Sequence, residues 1–551
     1  MKQIREKETK YYGTFRELLE DMEKRYGGRT AVTTYDRAGN ASEKNYHELK
    51  EDAFLCGASF CASGLSGKNI AIVSENSYDW LAVWFGIVLC GSTAVCIDIE
   101  HPDDTIREML AHADAAAVVC SPTMKEICCR RKTGVPFEGR LIVTGGEDND
   151  EDSLRNFLDA GRSGEAKRLL DEITLSPKQC ASIVYTSGTT SAAKPVMLSQ
   201  EALLTNAADS LTLLDSRDKV FNSLPLYHTY GLTDGMFCGL MRGLNVCICC
   251  DMKRMIRDMT LFKPGMLVAV PLIIEAIHKM MWSWIEKSDR EKEVQGKIRL
   301  ENVLKRPGIF VKKYRKTFFQ NTCMEKLDVI LTGGACLDML ISAELAHFGI
   351  AVLQGYGITE CSPSISCTRN EDIVHGSVGV ILPHNEVRIA EDGEILVRGK
   401  GMMSGYYNEP ELTAESYDGE WFKTGDIGYM DRRGHLYITG RKKNLIVMKN
   451  GKKVAAEEME NLLRRMPLVK DVMVYGALSG VSADDVKIAA SIYPDPELAA
   501  GMSSYEVLEK LQEFIDETNK KLPIYKQIRM INIRETDFGR TASHKIKRQI
   551  V

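Results

Sequence analysis

From Val184 to Gln200 the chain reads VYTSGTTSAAKPVMLSQ, an apolar strand signal that runs into four hydroxyls around one glycine. Thr186, Ser187, Thr189 and Thr190 flank Gly188, and Lys194 adds one positive charge. Small hydroxyl residues beside a glycine let backbone N–H and side-chain O–H donors converge on a phosphate chain, while a lysine neutralises its terminal charge. The segment reads as a phosphate loop. It is not the G-x-x-x-x-G-K-[ST] pattern, and a cluster of this kind taken alone is usually an ordinary loop, so its meaning rests on the motifs downstream of it.

Five such motifs occur in order: LPLYHTYG (residues 224–231), LTGGA (331–335), LQGYGITE (353–360), FKTGDIGYMDRRGHLYITGRKKN (422–444) and RTASHKIKR (540–548). With YTSGTTSAAK in front, the set resembles the adenylate-forming superfamily of acyl-CoA synthetases, firefly luciferase and peptide-synthetase adenylation domains. The likeness runs through almost the whole chain and is strongest to the fatty acyl-CoA synthetase branch.

The resemblance implies a role for each matching position. Gly333, Gly334, Ala335, Gly355, Tyr356 and Gly357 would wall an adenine slot, where missing side chains admit the flat base and Tyr356 offers a stacking face. Thr359 would contact the α-phosphate, and Glu360 would hold Mg²⁺, a hard cation that prefers carboxylate oxygen. Asp426 would accept the ribose hydroxyls, with Arg441 at the ribose and phosphate edge. Lys545 would reach the carboxylate and α-phosphate, where negative charge accumulates during adenylation. Lys443 would be the hinge for a small domain that rotates between half-reactions. His228 and Tyr230 would border the acyl pocket, although a solitary histidine is more often a packed core residue.

The implied activity is ATP-dependent conversion of a carboxylic acid to acyl-AMP, followed by transfer to the thiol of CoA. Two alternatives stand beside it: a ligase using the phosphopantetheine of an acyl carrier protein, and a non-catalytic acyl or nucleotide sensor. The sensor is suggested by departures in the phosphate loop, where Ser191, Ala193 and Pro195 replace the usual glycine, proline and glycine. Gln200 likewise stands where histidine is frequent, and His544 where glycine precedes the catalytic lysine. The apparent lack of an aspartate near Tyr230 argues for a fatty or other uncharged acyl tail.

Positioning such residues takes a scaffold, and the rest of the sequence describes one. At 551 residues the chain is too long for one core, and 44% apolar with 27% charged residues is ordinary globular composition. Runs such as NIAIVS (69–74), AAVVC (116–120), RLIVTG (140–145) and KVFNSLP (219–225) alternate with amphipathic segments, which predicts α/β layers with largely parallel sheets. From about Gly379 the pattern changes to short strands with Gly-rich turns. The expected architecture is a large N-terminal domain (1–442) of layered α/β subdomains plus a β-rich subdomain, and a small mobile α+β domain (443–551).

A net charge of −5 excludes a global pull toward nucleic acid or anionic membrane, so any polyanion needs a local site. The apolar run from Trp80 is interrupted by Gly91, Ser92 and Thr93, which predicts a buried helix entering a buried strand. MKQIREKETKYYG has no apolar signal core and HKIKRQIV no lipidation motif, so a cytoplasmic location is expected, without a transmembrane segment. Sixteen scattered cysteines read as reduced, buried thiols. The basic stretch KRPGIFVKKYRKTFFQ (305–320) reads as a solvated helical face, or else as a peripheral membrane or acidic-partner patch using Phe310, Tyr314, Phe318 and Phe319.

Overall fold

Strands that read as continuous β-branched runs must be covered on both faces, and helices cover them here. The computed structural model describes residues 9–129, 137–145, 151–186, 193–214, 217–448, 452–478, 486–539, 546 and 548. Two units result. The first uses the chain to Thr186, Ala193–Glu386 and Arg398–Glu420, and the second uses Val387–Val397 and the chain from Trp421.

Two sheets build the first unit. Ala351–Gly357, Val329–Thr332, Met266–Ala269, Lys219–Asn222, Asn245–Ile248 and Thr30–Tyr35 lie side by side and parallel within a nine-stranded sheet. The other sheet has seven strands, of which Cys180–Thr186, Thr93–Cys96, Asn69–Val73, Ala117–Cys120 and Arg140–Val143 are parallel. Lys194–Ser199 and then Gly405–Tyr406 extend it antiparallel beyond Cys180–Thr186. The expected α/β layering with largely parallel sheets is what the chain forms.

The apolar run at Trp80 becomes the helix Tyr78–Leu89, capped by Ser77, whose hydroxyl accepts the Trp80 N–H at 3.1 Å. The helix enters strand Thr93–Cys96 through Gly91, at φ +77°. Trp84 is fully buried and donates its indole N–H to Ser182 at 2.9 Å, while its ring meets Phe15, Phe85 and Phe237. No helix among the described residues is long and apolar enough to cross a membrane. None of the sixteen cysteines is in a disulfide; twelve are buried and Cys336 alone is exposed.

The charged insertion forms helices Pro271–Glu286 and Glu291–Leu304, followed by a loop and the short helix Arg315–Phe319. Of the four aromatics expected to serve a peripheral patch in this stretch, Phe310 alone is part-exposed. Tyr314, Phe318 and Phe319 are buried in the core with Val294, Ile298 and Val311, so these rings are not a surface patch. Alternation of cations with aromatics marks an amphipathic segment whose rings point inward. The loop is held by the buried carboxylate of Glu301, which accepts N–H groups from Gly308 (2.7 Å), Phe310 and Val311 (2.8 Å) and meets His347 Nδ1.

In the second unit, Glu394–Gly399, Trp421–Met430 and Leu436–Arg441 pair antiparallel. Farther on, Val469–Leu478 pairs antiparallel with Val486–Pro494, which pairs parallel with Ile528–Ile533. Helices Ala456–Leu463 and Ser504–Lys520 cover this sheet, the latter opened by a Ser503–Glu506 capping box. The result is a small α+β body with its own core.

Burial pushes the Glu301 carboxyl up, but His347 and three backbone donors outweigh it and hold it below the usual carboxylate range. A depressed folded-state value adds stability above the unfolded value, about 4.3, and that stability is lost as pH falls through the folded one. Glu301→Ala should therefore lower stability by about 3–5 kcal/mol at neutral pH, because buried donors lose their acceptor. Urea unfolding at pH 7 and in acid checks this, with the gap between parent and variant closing in acid.

Candidate active site

In sheets of this kind, ligand-binding turns cluster beyond the carboxyl ends of parallel strands. Strand Val329–Thr332 ends at Gly333, Lys219–Asn222 leads into the 224–231 motif, and Ala351–Gly357 ends just before Thr359 and Glu360. Thr332 pairs with Gln354, so Gly333 and Gly355 are neighbours. A Cβ on Gly333 would lie 3.1 Å from the Gly355 carbonyl and 3.5 Å from the Tyr230 ring. The 224–231, 331–335 and 353–360 motifs therefore meet at this glycine.

Other wall residues differ in their reasons. Gly334 has φ +81° and open space around it, and Ala335 is exposed. Tyr356 is only 9% exposed, which leaves little of its ring as a stacking face. Gly357 is glycine because its own loop demands it: a Cβ would stand 2.0 Å from the Pro363 carbonyl. Turn geometry alone is enough to require glycine here.

Glu360 is fixed from two sides. The Met403 N–H donates to its carbonyl at 2.8 Å, and the Tyr406 hydroxyl donates to Oε1 at 2.8 Å. The Lys194 ammonium stands 5.1 Å from the centre of the same Tyr406 ring. One phenol thus joins the lysine of the expected phosphate loop to the carboxylate expected to meet magnesium. Burial, with the Glu360 charge beside it, pushes the Tyr406 phenol well above its ordinary range, so it remains a donor. Beneath the turn, Asn206 donates to the carbonyls of Cys361 (3.0 Å) and Ser364 (2.7 Å) and accepts the Ser364 N–H (3.1 Å).

Thr186 closes strand Cys180–Thr186 and Thr359 opens the turn of Glu360; both are part-exposed. Ser187, Gly188, Thr189, Thr190 and Ser191 lie outside the described residues, as do His544 and Lys545. Pro195 sits opposite Tyr185, with its carbonyl accepting the Tyr407 N–H at 2.8 Å. Gln200 is fully buried and accepts the Phe15 N–H at 2.9 Å, so it ties helix Phe15–Tyr26 to this layer.

In the 224–231 motif, His228 precedes the turn Thr229–Leu232, and its Nε2 is 3.9 Å from Oδ2 of buried Asp98. The Tyr230 hydroxyl and the Thr332 Oγ1 are buried with no hydrogen-bond partner, which is unusual for polar atoms inside a protein. The expected lack of an aspartate near Tyr230 does not hold: Asp234 stands one turn beyond it, fully enclosed and accepting from Ser364 Oγ at 2.8 Å. Burial pushes its carboxyl up to about 6 despite that bond.

Asp426 and Arg441 are cross-strand partners in the second unit, with Nε and Oδ1 2.9 Å apart. Asp426 is 3% exposed. Just beyond, Lys442 Nζ bridges Asp392 (2.7 Å) and Glu394 (2.6 Å), whereas Asn444 donates to Glu457 on helix Ala456–Leu463. Lys443 therefore lies between neighbours anchored to different elements.

Against known families, the model described as AMP-binding enzyme matches residues 19–407, and that described as AMP-binding enzyme C-terminal domain matches 443–551. This chain belongs to the AMP-binding enzyme family. Among its relatives, the long-chain-fatty-acid–CoA ligase FadD15 of Mycobacterium bovis is 27% identical over 530 residues, covering 88% of this chain and 86% of the relative. Indoleacetate–CoA ligase of Aromatoleum aromaticum is 27% identical over 481 residues, covering 84% and 85%. The anthranilate CoA ligase AuaEII with anthranoyl-AMP superposes at a TM-score of 0.77, with 19% identity and 98% and 96% coverage. O-succinylbenzoate coenzyme A synthetase of Bacillus subtilis, in complex with ATP and magnesium ion, gives 0.72, with 21% identity and 96% and 98% coverage. The fold is that of adenylate-forming enzymes.

Asn206, Asp98 and Tyr406 carry no sequence signal of their own, since each acts on a distant segment. Tyr406→Phe keeps the ring beside Lys194 but withdraws the hydroxyl from Glu360. A hydrogen bond to a charged group contributes about 1.5–3 kcal/mol, so the magnesium concentration for half-maximal activity should rise roughly tenfold or more. Glu360→Gln, which removes the charge, should raise it further and slow adenylation. Magnesium titrations of both variants, with melting temperatures as a folding control, check the order.

Proposed function

We propose that this enzyme joins a carboxylic acid with a fatty or other uncharged acyl tail to a thiol in two steps. The acid's oxygen attacks the α-phosphorus of ATP, pyrophosphate leaves, and the thiol then attacks the acyl carbon of acyl-AMP with release of AMP. The carrying observation is the Lys194–Tyr406–Glu360 cluster, which sets a cation and a carboxylate on one phenol at a strand end. That pair suits Mg·ATP. Glu360 would supply an oxygen ligand to the metal, and the phosphates would supply others, because no group of three or more His, Cys, Asp or Glu among the described residues could hold an ion. The unpartnered Tyr230 hydroxyl and Thr332 Oγ1 supply donors or acceptors without a protein partner near Gly333.

The tail assignment is supported by Asp234, whose carboxylate is engaged by Ser364 and so is not offered to a substrate ammonium. CoA as acceptor is supported by the named relatives, which are CoA ligases. A carrier-protein phosphopantetheine is the other candidate, and offering both thiols to preformed acyl-AMP separates them. The cytoplasmic location belongs to the same proposal. Pyrophosphate release across an acid panel with Mg·ATP, followed by CoA capture, tests the whole reading; no release with any acid would leave a non-catalytic sensor.

Lys545 is the proposed adenylation lysine, and Lys443 the pivot of a small mobile domain, 443–551. Lys545→Ala should slow acyl-adenylate formation about 100-fold or more while leaving thioester formation from supplied acyl-AMP largely intact. Equal loss in both half-reactions would make the lysine structural. Proline at 443 restricts φ to about −65° and biases Lys442 away from helical ψ, between two anchored neighbours. Lys443→Pro should therefore slow thioester formation far more than adenylation in single turnovers.

A further inference from the structure

We propose that the outer end of helix Glu291–Leu304, with the loop after it, docks this enzyme on an anionic lipid surface. The helix has two apolar faces: Val294 and Ile298 enter the core, while Leu300, Val303 and Leu304 are 47%, 79% and 47% exposed. The exposed three are spaced i, i+3 and i+4, so they form one patch on the helix surface. Ile309, in the loop after the helix, is 52% exposed. Scattered exposed aliphatics are ordinary, but a cluster on one turn marks a contact surface.

Charge says what it contacts. Arg299, Lys305, Arg306, Lys312, Lys313 and Lys316 are all exposed, and the only acid between residues 299 and 316 is Glu301. That carboxylate is buried and bound to Gly308, Phe310, Val311 and His347, so it does not screen the surface. Cations around aliphatics suit lipid: headgroup phosphates attract the former, and the acyl boundary admits the latter. A protein partner would favour aromatic anchors, and here Tyr314, Phe318 and Phe319 are buried instead. Glu301 also fixes the loop beforehand, so binding need not order it.

The test is co-sedimentation of the full-length protein with vesicles of phosphatidylcholine alone or phosphatidylcholine with phosphatidylserine. Binding is expected to the anionic vesicles, weakening as salt rises. Lys312→Glu with Lys313→Glu should lower partition about 25-fold or more, at about fivefold per cation. Val303→Ser with Leu304→Ser should lower it independently of salt. Both double variants should keep the parent's melting temperature and its vesicle-free activity on a water-soluble acid. Equal binding to neutral vesicles, no binding by the parent, or unchanged binding by either folded variant would overturn the proposal. So would capture of an acidic carrier protein by this face with no affinity for anionic vesicles.

Discussion

A single buried amide decides where Glu360 can be. Asn206 is 1% exposed on helix Gln200–Leu213, and three of its hydrogen bonds go to the turn that presents this carboxylate. A buried amide without partners is costly, so satisfaction of this one fixes helix and turn together. Gly401 completes the fit, since a Cβ there would approach Asn206 Nδ2 and the Cys361 carbonyl at 3.1 Å each. From that fixed turn the Tyr406 hydroxyl reaches Glu360 and its ring reaches Lys194. Rigidity at the charge-bearing end matters because a preorganised site need not reorganise as charge develops.

Three buried carboxylates in the first unit show how surroundings set a group's use. Glu301 receives backbone N–H groups and stabilises a loop. Asp234 receives a hydroxyl in an enclosed site that resists its ionisation. Asp98 receives the Glu100 N–H on one oxygen, while the other faces His228 without a bond at hydrogen-bonding distance. The first holds a loop, the second is engaged inside the protein by a hydroxyl, and the third faces an imidazole 3.9 Å away.

Much of this was legible in the chain because the informative signals are local. The run at Asn69 became strand Asn69–Val73, and the Trp80 segment became helix and strand as its glycine and hydroxyls indicated. The 331–335 and 353–360 motifs fell at adjacent strand ends because parallel pairing places Thr332 beside Gln354. What escaped depends on distance in sequence. Tyr406 reaches Glu360 through a two-residue strand, Gly405–Tyr406, paired with Met197 and Val196, too short to leave any periodicity. The carbonyl of Pro363 crowds Gly357, and only coordinates reveal such a neighbour.

The thiols bear on how the protein survives. Twelve of its sixteen cysteines are sequestered inside, and burial pushes those at 96, 249 and 361 up to about 12. The thiolate is the reactive form, so the sulfurs of Cys96, Cys249 and Cys361 are inert while the fold persists. In an opened chain the same thiols have ordinary acidity, so their protection comes from the fold itself. Closing those thiols off from solvent is thus a second task of the same core that positions the strand ends.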